Sequence, residues 1–315
     1  MINLCINKAQ TLSLEISGPV RQQGEDKEYA VGRVLKKIFE NKEISEGSLS
    51  LESLAKTPYA YGILSYMYGY LNESQGAELL KELQKIPAEI LERINHKKIS
   101  VIQKEILLPT QETRGEQIIL DVNWNGYPNI DLDEHLNYFG SILGSDWIDF
   151  ISVIRFISII KISSWPELPY FSGSTSDLWG AMHMCAPRYD EVIAECITHE
   201  AAHFWLNLAD EVTPISSDSW GRAEWLSPWR QDKRPIGGVI HGVFVFSCVA
   251  LVLALLFAKS KNADSQLRLR RRIEKVASQV QAGAQECLRS DLLTKFGESI
   301  VSASTQRAEF SINLL

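Results

Sequence analysis

The chain has 315 residues, of which 45% are hydrophobic and 23% are charged. This is average for a soluble globular protein and argues against a disordered, collagen-like or coiled-coil chain. The formal net charge of -7 provides no overall basic field, so general nucleic-acid binding is disfavoured. The five cysteines include no C-x-x-C pair, which argues against a disulfide framework and indicates a reducing cytoplasm.

The first half of the chain predicts helices followed by a small sheet. Residues 25–100 carry apolar residues at spacings of three and four, which is typical of amphipathic helices. Short β-rich runs between residues 99 and 130 surround a turn signal at residues 125–129 and predict strands. Residues 133–163 form a long apolar segment that we expect to be buried, although its periodicity does not decide between helix and strand.

The second half begins with elements that lead into one long helix. Residues 172–177 predict a polar loop, and the run from residue 178 to residue 185 predicts a strand. A helix is expected to begin near Asp190, with that residue as its N-cap. Residues 211–235, rich in Ser, Trp and Pro, predict an irregular segment.

A very apolar segment at residues 237–258 raises the question of a membrane span. Its charge-free part, Gly242 to Ala258, is at the short limit for crossing a bilayer. No second comparable segment is present, and a basic amphipathic helix at about residues 264–288 follows directly. These features favour a buried central helix in a cytoplasmic protein over membrane insertion.

The chemically most informative feature is an H-E-x-x-H motif formed by His199, Glu200 and His203. Apolar residues on both sides predict that the motif lies on a helix. Residues four apart are one helical turn apart, so the two imidazoles can bind the same metal ion, with the glutamate beside them. The motif therefore predicts a metal site.

The identity of a third metal ligand stays open from the residues alone. The metzincin extension of the motif is excluded, because Leu206 and Ala209 stand where that class has glycine and histidine. Glu224 and His241 are the main candidates. Weaker acidic candidates are Glu211 and Asp218.

Several residues near His241 could support such a site. A lone imidazole in an apolar segment needs a partner, and metal coordination would supply one. Arg230 and Arg234, with Asp232 between them, can grip a carboxylate in a bidentate manner, although an internal salt bridge between Arg230 and Asp232 is the alternative. His183, on the strand before the motif helix, could lie behind the metal ligands.

Two motifs together resemble a known family. They are Thr198-His-Glu-Ala-Ala-His and, about two dozen residues later, Ser227-Pro-Trp-Arg-Gln-Asp-Lys-Arg-Pro-Ile-Gly-Gly-Val-Ile-His-Gly-Val-Phe. They are similar to those of the HExxH-containing peptide-modification proteins found beside ribosomally synthesised peptide (RiPP) natural products. The resemblance covers roughly residues 170–290.

The resemblance implies an iron(II)- and 2-oxoglutarate-dependent dioxygenase, an oxidoreductase that hydroxylates the β-carbon of a residue in a precursor peptide. Its implied metal ligands are His199, His203 and His241. Glu200 would stand beside the metal rather than act as a hydrolytic base. The distal carboxylate of 2-oxoglutarate would be held by Arg234 or, as the second choice, Arg230.

Two alternatives from other functional classes remain. A zinc metallopeptidase would use the two motif histidines with Glu224 or His241 on the metal, and Glu200 as the general base for the zinc-bound water. A non-catalytic peptide-binding helper would bind no metal. Zinc in place of iron is thus the competing cofactor, and a peptide is the expected partner in every case.

The expected fold is α+β and mostly α-helical. A helical N-terminal region, residues 1–120, is expected to pack on a metal-bearing helical core with a small β-sheet, residues 121–315. The sequence does not predict the oligomeric state.

Overall fold

A computed structural model describes residues 100–102, 132–160, 172–174, 180–185 and 189–315, together with Gln22. The described residues are mostly helical with a small sheet, which confirms this part of the predicted fold class. The described residues divide into two compact units, the first containing residues 133–151 and 189–315 and the second containing residues 100–102, 132, 152–160, 172–174 and 180–185.

Several predictions fall on residues outside the described ones. They include the helices at residues 25–100, the turn signal at residues 125–129 and nearly all of the N-terminal region 1–120. The division at residue 120 therefore stays a prediction.

The second unit contains a four-stranded sheet. Its strands are β1 (Ser100–Ile102), β2 (Phe156–Ile160), β3 (Ser172–Ser174) and β4 (Ala181–Cys185), in the order β1-β2-β4-β3. The first two pairings are parallel, and β3 pairs antiparallel with β4. The strands predicted near residue 99 and at residues 178–185 are thus confirmed.

The prediction of a loop at residues 172–177 is wrong for its first three residues. Residues 172–174 form the edge strand β3. Its sequence, Ser-Gly-Ser, has neither apolar alternation nor β-branched residues, so no local pattern indicates a strand. Pairing with β4 imposes the extended conformation. Gly173 lies opposite His183, and a Cβ at this glycine would be 2.6 Å from Nε2 of that histidine.

The ambiguous apolar segment at residues 133–163 contains two helices and a strand. Helix α1 (Leu132–Leu143) and helix α2 (Ser145–Ile151) precede β2. Gly144 separates the helices with a φ of 87°, and its N–H donates to the carbonyl of Gly140 at 2.9 Å. Left-handed glycine is a common helix terminator, which explains why one continuous helix does not form.

The described part of the first unit is built mainly from four long helices. They are α3 (Asp190–Val212), α4 (Ile236–Lys259), α5 (Ala263–Arg289) and α6 (Lys295–Asn313). Helix α4 packs against the other three, and its buried residues form much of the main hydrophobic cluster. The helices predicted near residue 190, at residues 237–258 and at residues 264–288 are confirmed.

The start of α3 differs by one residue from the prediction. The N-cap position is Tyr189, and Asp190 is the first helical residue. Both Asp190 and Glu191 lie in the first turn, where a negative charge is favoured by the helix dipole. Arg268 donates to Glu191 at 2.7 Å and thereby connects α5 to this end of α3.

Helix α4 alone, among the described residues, is long and apolar enough to cross a membrane. Most of that helix is buried inside the protein, as in the central helix of a globular fold. Ser247, in the middle of α4, accepts a hydrogen bond from Arg307 of α6 at 2.7 Å. The helix therefore makes a polar contact with its neighbour as well as apolar ones.

Candidate functional site

Helix α3 presents the two motif histidines to the same side. The Nε2 atoms of His199 and His203 are 3.2 Å apart, and the rings meet edge to face with centroids separated by 4.9 Å. Two nitrogens bound to one ion at about 2.1 Å are separated by about 3.0 Å at a right angle and about 3.4 Å at the tetrahedral angle. The observed separation fits a shared ion as well as it fits an N–H···N hydrogen bond.

The third histidine comes from the first turns of α4. Nδ1 of His241 lies 3.2 Å from Nδ1 of His203, and the two rings are nearly parallel, with an angle of 23° between their planes. The structure thus brings together the three histidines that the sequence analysis singled out. They form a row in which His203 is central.

Aromatic side chains contact both ends of this row. Phe246 packs edge to face against His199 with ring centroids 4.9 Å apart, and Trp229 stacks on the outer face of Phe246 at 5.2 Å. At the other end Trp220 packs against His241 at 5.7 Å, and its side chain is 64% exposed. One end of the row is therefore enclosed, and the other end is next to solvent.

Two glycines explain how Trp229 reaches the helices. A Cβ at Gly242 would lie 2.4 Å from Cζ3 of this tryptophan, and one at Gly283 would lie 2.7 Å from Cη2. Any side chain at either position would displace the indole. The loop between α3 and α4 is therefore anchored between α4 and α5, next to the histidines.

The environment keeps all three imidazoles neutral at pH 7. Burial lowers the pKa of His199 to about 4, and the positive charge of Arg272 acts in the same direction. Burial lowers the pKa of His203 to about 3 and that of His241 to about 4. Neutral imidazole is the form that binds a metal, so little affinity would be lost to competing protons.

Two carboxylates act on the row from α3. Glu200 is 2% exposed, and its charge raises the pKa of His203 against the larger effect of burial. Asp210, two helical turns after His203, has the same opposing effect on His241. Its Oδ1 accepts a hydrogen bond from the backbone N–H of Ile215 at 2.7 Å, which holds the carboxylate in place.

The two candidate arginines have different surroundings. Nε of Arg234 donates to Oδ1 of Asp232 at 3.1 Å, and a terminal nitrogen donates to Oδ2 at 3.3 Å. The salt bridge predicted as the alternative joined Asp232 to Arg230, whereas the structure pairs Asp232 with Arg234. The charge of Arg230, an exposed residue, lowers the pKa of His203. Of the two candidate arginines, Arg230 therefore acts on His203, as Arg272 acts on His199.

The acidic alternatives for a third ligand are not brought to the histidines. Glu224 is exposed, and its carboxylate lies 3.7 Å from Arg222. Glu211 and Asp218 are also exposed. His183 lies on β4 in the other compact unit.

Within the ranges that the structure describes, no three His, Cys, Asp or Glu side chains surround a common point that could hold a metal ion. The predicted set of His199, His203 and His241 therefore stays a prediction. Asp210, Trp220, Trp229 and Phe246 were missed as part of the site. Of these four residues, only Asp210 could have been predicted from the sequence. Its spacing of seven residues from His203 puts both side chains on one helical face.

No known protein-family profile matches the sequence, and no curated protein matches it either. Function therefore has to be inferred from the chemistry of the histidine row. The relevant features are its neutral imidazoles, the nearby arginine and the exposed indole.

Proposed function

We propose that this protein is an iron(II)- and 2-oxoglutarate-dependent oxygenase that hydroxylates a ribosomally synthesised precursor peptide at a β-carbon. One observation carries the metal-dependent part of the proposal. The Nε2 atoms of His199 and His203 lie 3.2 Å apart on one face of α3, at the separation expected for two ligands of a shared ion. The choice of reaction is supported by the resemblance of the two motifs.

The geometry of His199 and His203 fits a shared metal ion, whereas the position of His241 does not fit a third ligand of that ion. Two neutral imidazoles are suitable ligands for iron or zinc. His241 faces the opposite edge of the His203 ring, so it does not face the same point as His199. His199 and His203 would therefore hold the ion.

A carboxylate-bearing cosubstrate needs a nearby cation, and Arg230 fits this role better than Arg234. The latter is engaged by both oxygens of Asp232. Arg230 is exposed, and its charge acts on His203. We therefore assign the binding of the distal carboxylate of 2-oxoglutarate to Arg230. This reverses the order of preference drawn from the sequence. Arg234 instead shapes the loop through its contact with Asp232.

Bound iron with 2-oxoglutarate and oxygen would supply the oxidising power to replace a C–H bond by C–OH. The protein's own contribution is to hold the reactants and limit water. Phe246 covers one side of His199, and Trp229 covers Phe246 in turn. At the open end, Trp220 offers an exposed aromatic surface against which a peptide substrate can lie.

The zinc metallopeptidase remains the competing hypothesis, since H-E-x-x-H most often indicates that chemistry. In that case Glu200 would be the general base. Its third ligand was predicted as Glu224 or His241, and Glu224 is exposed beside Arg222. The bound metal and the reaction products, rather than this contact, distinguish the two hypotheses.

A cytoplasmic location and a peptide partner belong to the same proposal. The absence of a C-x-x-C pair in the sequence supports the expectation of a reducing compartment. Helix α4 contacts three other helices and Arg307, which supports a core helix rather than a membrane span. The net charge of -7 supports the expectation that nucleic acid is not a partner.

The experiment that tests the proposal is metal analysis combined with two activity measurements. The full chain is purified without oxygen, its iron and zinc are quantified, and succinate formation from 2-oxoglutarate is followed with oxygen and no peptide. Cleavage of denatured casein is measured in parallel. We expect bound iron and slow succinate formation that is lost in His203→Ala and kept in His135→Ala.

Zinc with casein cleavage and no succinate would instead establish the metallopeptidase. A protein that binds neither metal would support the non-catalytic helper. His135 is a suitable control because it lies on α1 beside Asp190, at 3.5 Å.

A further inference from the structure

His203 contacts a different histidine through each of its two ring nitrogens. Its Nε2 faces Nε2 of His199, and its Nδ1 faces Nδ1 of His241, both at 3.2 Å. The two nitrogens of an imidazole point away from each other, so a single ion cannot bind both. An ion held between His199 and His203 therefore leaves His241 on the far side of the His203 ring.

We infer that His241 is a positioning residue, which accepts a hydrogen bond from Nδ1–H of His203 and directs Nε2 of that ring to the metal. The inference rests on the proposed metal site and deepens it. It differs from the sequence-based expectation, in which His241 is itself a ligand. Metal-binding histidines commonly donate their second ring nitrogen to such a partner, which sets the tautomer and the ring orientation.

The ion could in principle lie between His203 and His241, since the nitrogen separation there is the same. One observation favours the other pair. His199 and His203 lie one turn apart on a single rigid helix, so their relative position does not depend on the packing of two helices.

Asp210 adds a negative charge near His241. It lies on α3, two turns beyond His203, and its carboxylate accepts a hydrogen bond from the N–H of Ile215. Its charge raises the pKa of His241 against the larger effect of burial. The orientation of the ligand itself rests on the contact between His241 and His203.

The test is a cobalt(II) titration of the metal-free full chain, followed by calorimetry and by the visible absorption of the bound ion. Five variants are compared: His199→Ala, His203→Ala, His241→Ala, His241→Asn and the control His135→Ala. We expect no measurable binding for the first two, and affinity about 10- to 100-fold weaker for His241→Ala. The control should bind as the wild type does.

His241→Asn gives the decisive comparison. An asparagine carboxamide can take the position of Nδ1 and hydrogen-bond to His203, but it is a poor replacement for an imidazole ligand. Affinity within a few-fold of the wild type and an unchanged cobalt spectrum are therefore expected. Complete loss of binding in both His241 variants, or binding that survives His199→Ala, would show that His241 is a ligand and overturn the inference.

A second measurement does not depend on metal. In the ¹⁵N spectrum of the metal-free protein, His203 should be the Nδ1–H tautomer, and His241→Ala should shift it to a mixture of tautomers. If this shift is absent, the positioning role is wrong. If the shift occurs but the wild type binds no cobalt, the proposed function fails while the contact between the histidines stands. Thermal unfolding of each variant checks that it is folded.

Discussion

Helix α4 carries two polar clusters, and they differ in how their members are paired. In the middle of the helix, Ser247 accepts a hydrogen bond at 2.7 Å from Arg307, which also lies over the ring of Phe244. Near its N-terminal end, His241 faces His203 through like atoms at 3.2 Å. The cluster around Arg307 combines a hydrogen-bond donor with acceptors. The cluster around His241 combines imidazoles with one another.

Exposure separates the two clusters as well. The side chain of Arg307 is 4% exposed, and Ser247 is fully buried. The histidine row ends at Trp220, whose side chain is 64% exposed. A polar group with a complementary buried partner contributes to stability, whereas several neutral bases facing each other at an open edge indicate a site that binds a ligand.

The largest expected effect is on stability, at the enclosed cluster. Arg307→Ala removes a large buried side chain from the packing of α4 and α6, so we expect the free energy of unfolding to fall by about 4 kcal/mol. Arg307→Met keeps most of the volume and should cost much less, because Ser247 still donates to the carbonyl of Phe244. Urea unfolding measures both. Equal losses in the two variants would show that the charge, not the packing, matters.

The histidine row should make stability depend on pH. In the unfolded chain histidines take up protons below about pH 6.5, whereas His241 in the folded protein does so only near pH 4. Its contribution is therefore complete above pH 6.5 and is lost as the pH falls towards 4. For this half-buried ring the loss is below about 3 kcal/mol, because its end of the row is next to solvent.

This dependence can be measured on the metal-free protein by urea unfolding between pH 7 and pH 4.5. The slope with pH should be shallower in His241→Asn, which cannot take up a proton at this position. The slope should not change in Arg307→Met, because that residue belongs to the other cluster. An unchanged slope in His241→Asn would contradict the prediction.

A smaller effect is expected from the arginines of the loop between α3 and α4. Arg230→Gln should weaken 2-oxoglutarate binding by about 2 kcal/mol, or roughly 30-fold, because a charged hydrogen bond to the distal carboxylate is lost. Arg234→Gln should have much less effect, since this side chain is engaged by Asp232. Calorimetry with the metal-loaded protein measures both. A larger loss in Arg234→Gln would restore the preference drawn from the sequence.

The smallest effect concerns a helix end that belongs to neither cluster. Oγ1 of Thr294, the N-cap of α6, accepts a hydrogen bond from the N–H of Gly297 at 3.1 Å. Thr294→Ala should cost about 1 kcal/mol in the free energy of unfolding, and Thr294→Ser should cost less. Thermal unfolding checks this. Neither Thr294 variant should change the affinity for cobalt. A changed affinity would show that the metal site is coupled to this helix end.

Local patterns predicted the helices well and the edge strand β3 badly. The spacing of apolar residues indicated α3, α4 and α5, because a helix buries residues that are close in sequence. It failed at residues 172–174, where Ser-Gly-Ser becomes a strand only through pairing with β4. It was undecided over residues 133–163, where Gly144 ends one helix and a second helix and a strand follow.

The sequence alone determined the two motif histidines and their shared helical face, because a spacing of four residues places side chains together on any α-helix. It also determined that α4 is a helix apolar enough to be buried. Only the tertiary structure decided which nitrogen of His203 faces which neighbour, that Asp232 engages Arg234, and that Arg307 meets Ser247. These contacts depend on side-chain orientation and on the packing of separate segments, which no local spacing encodes.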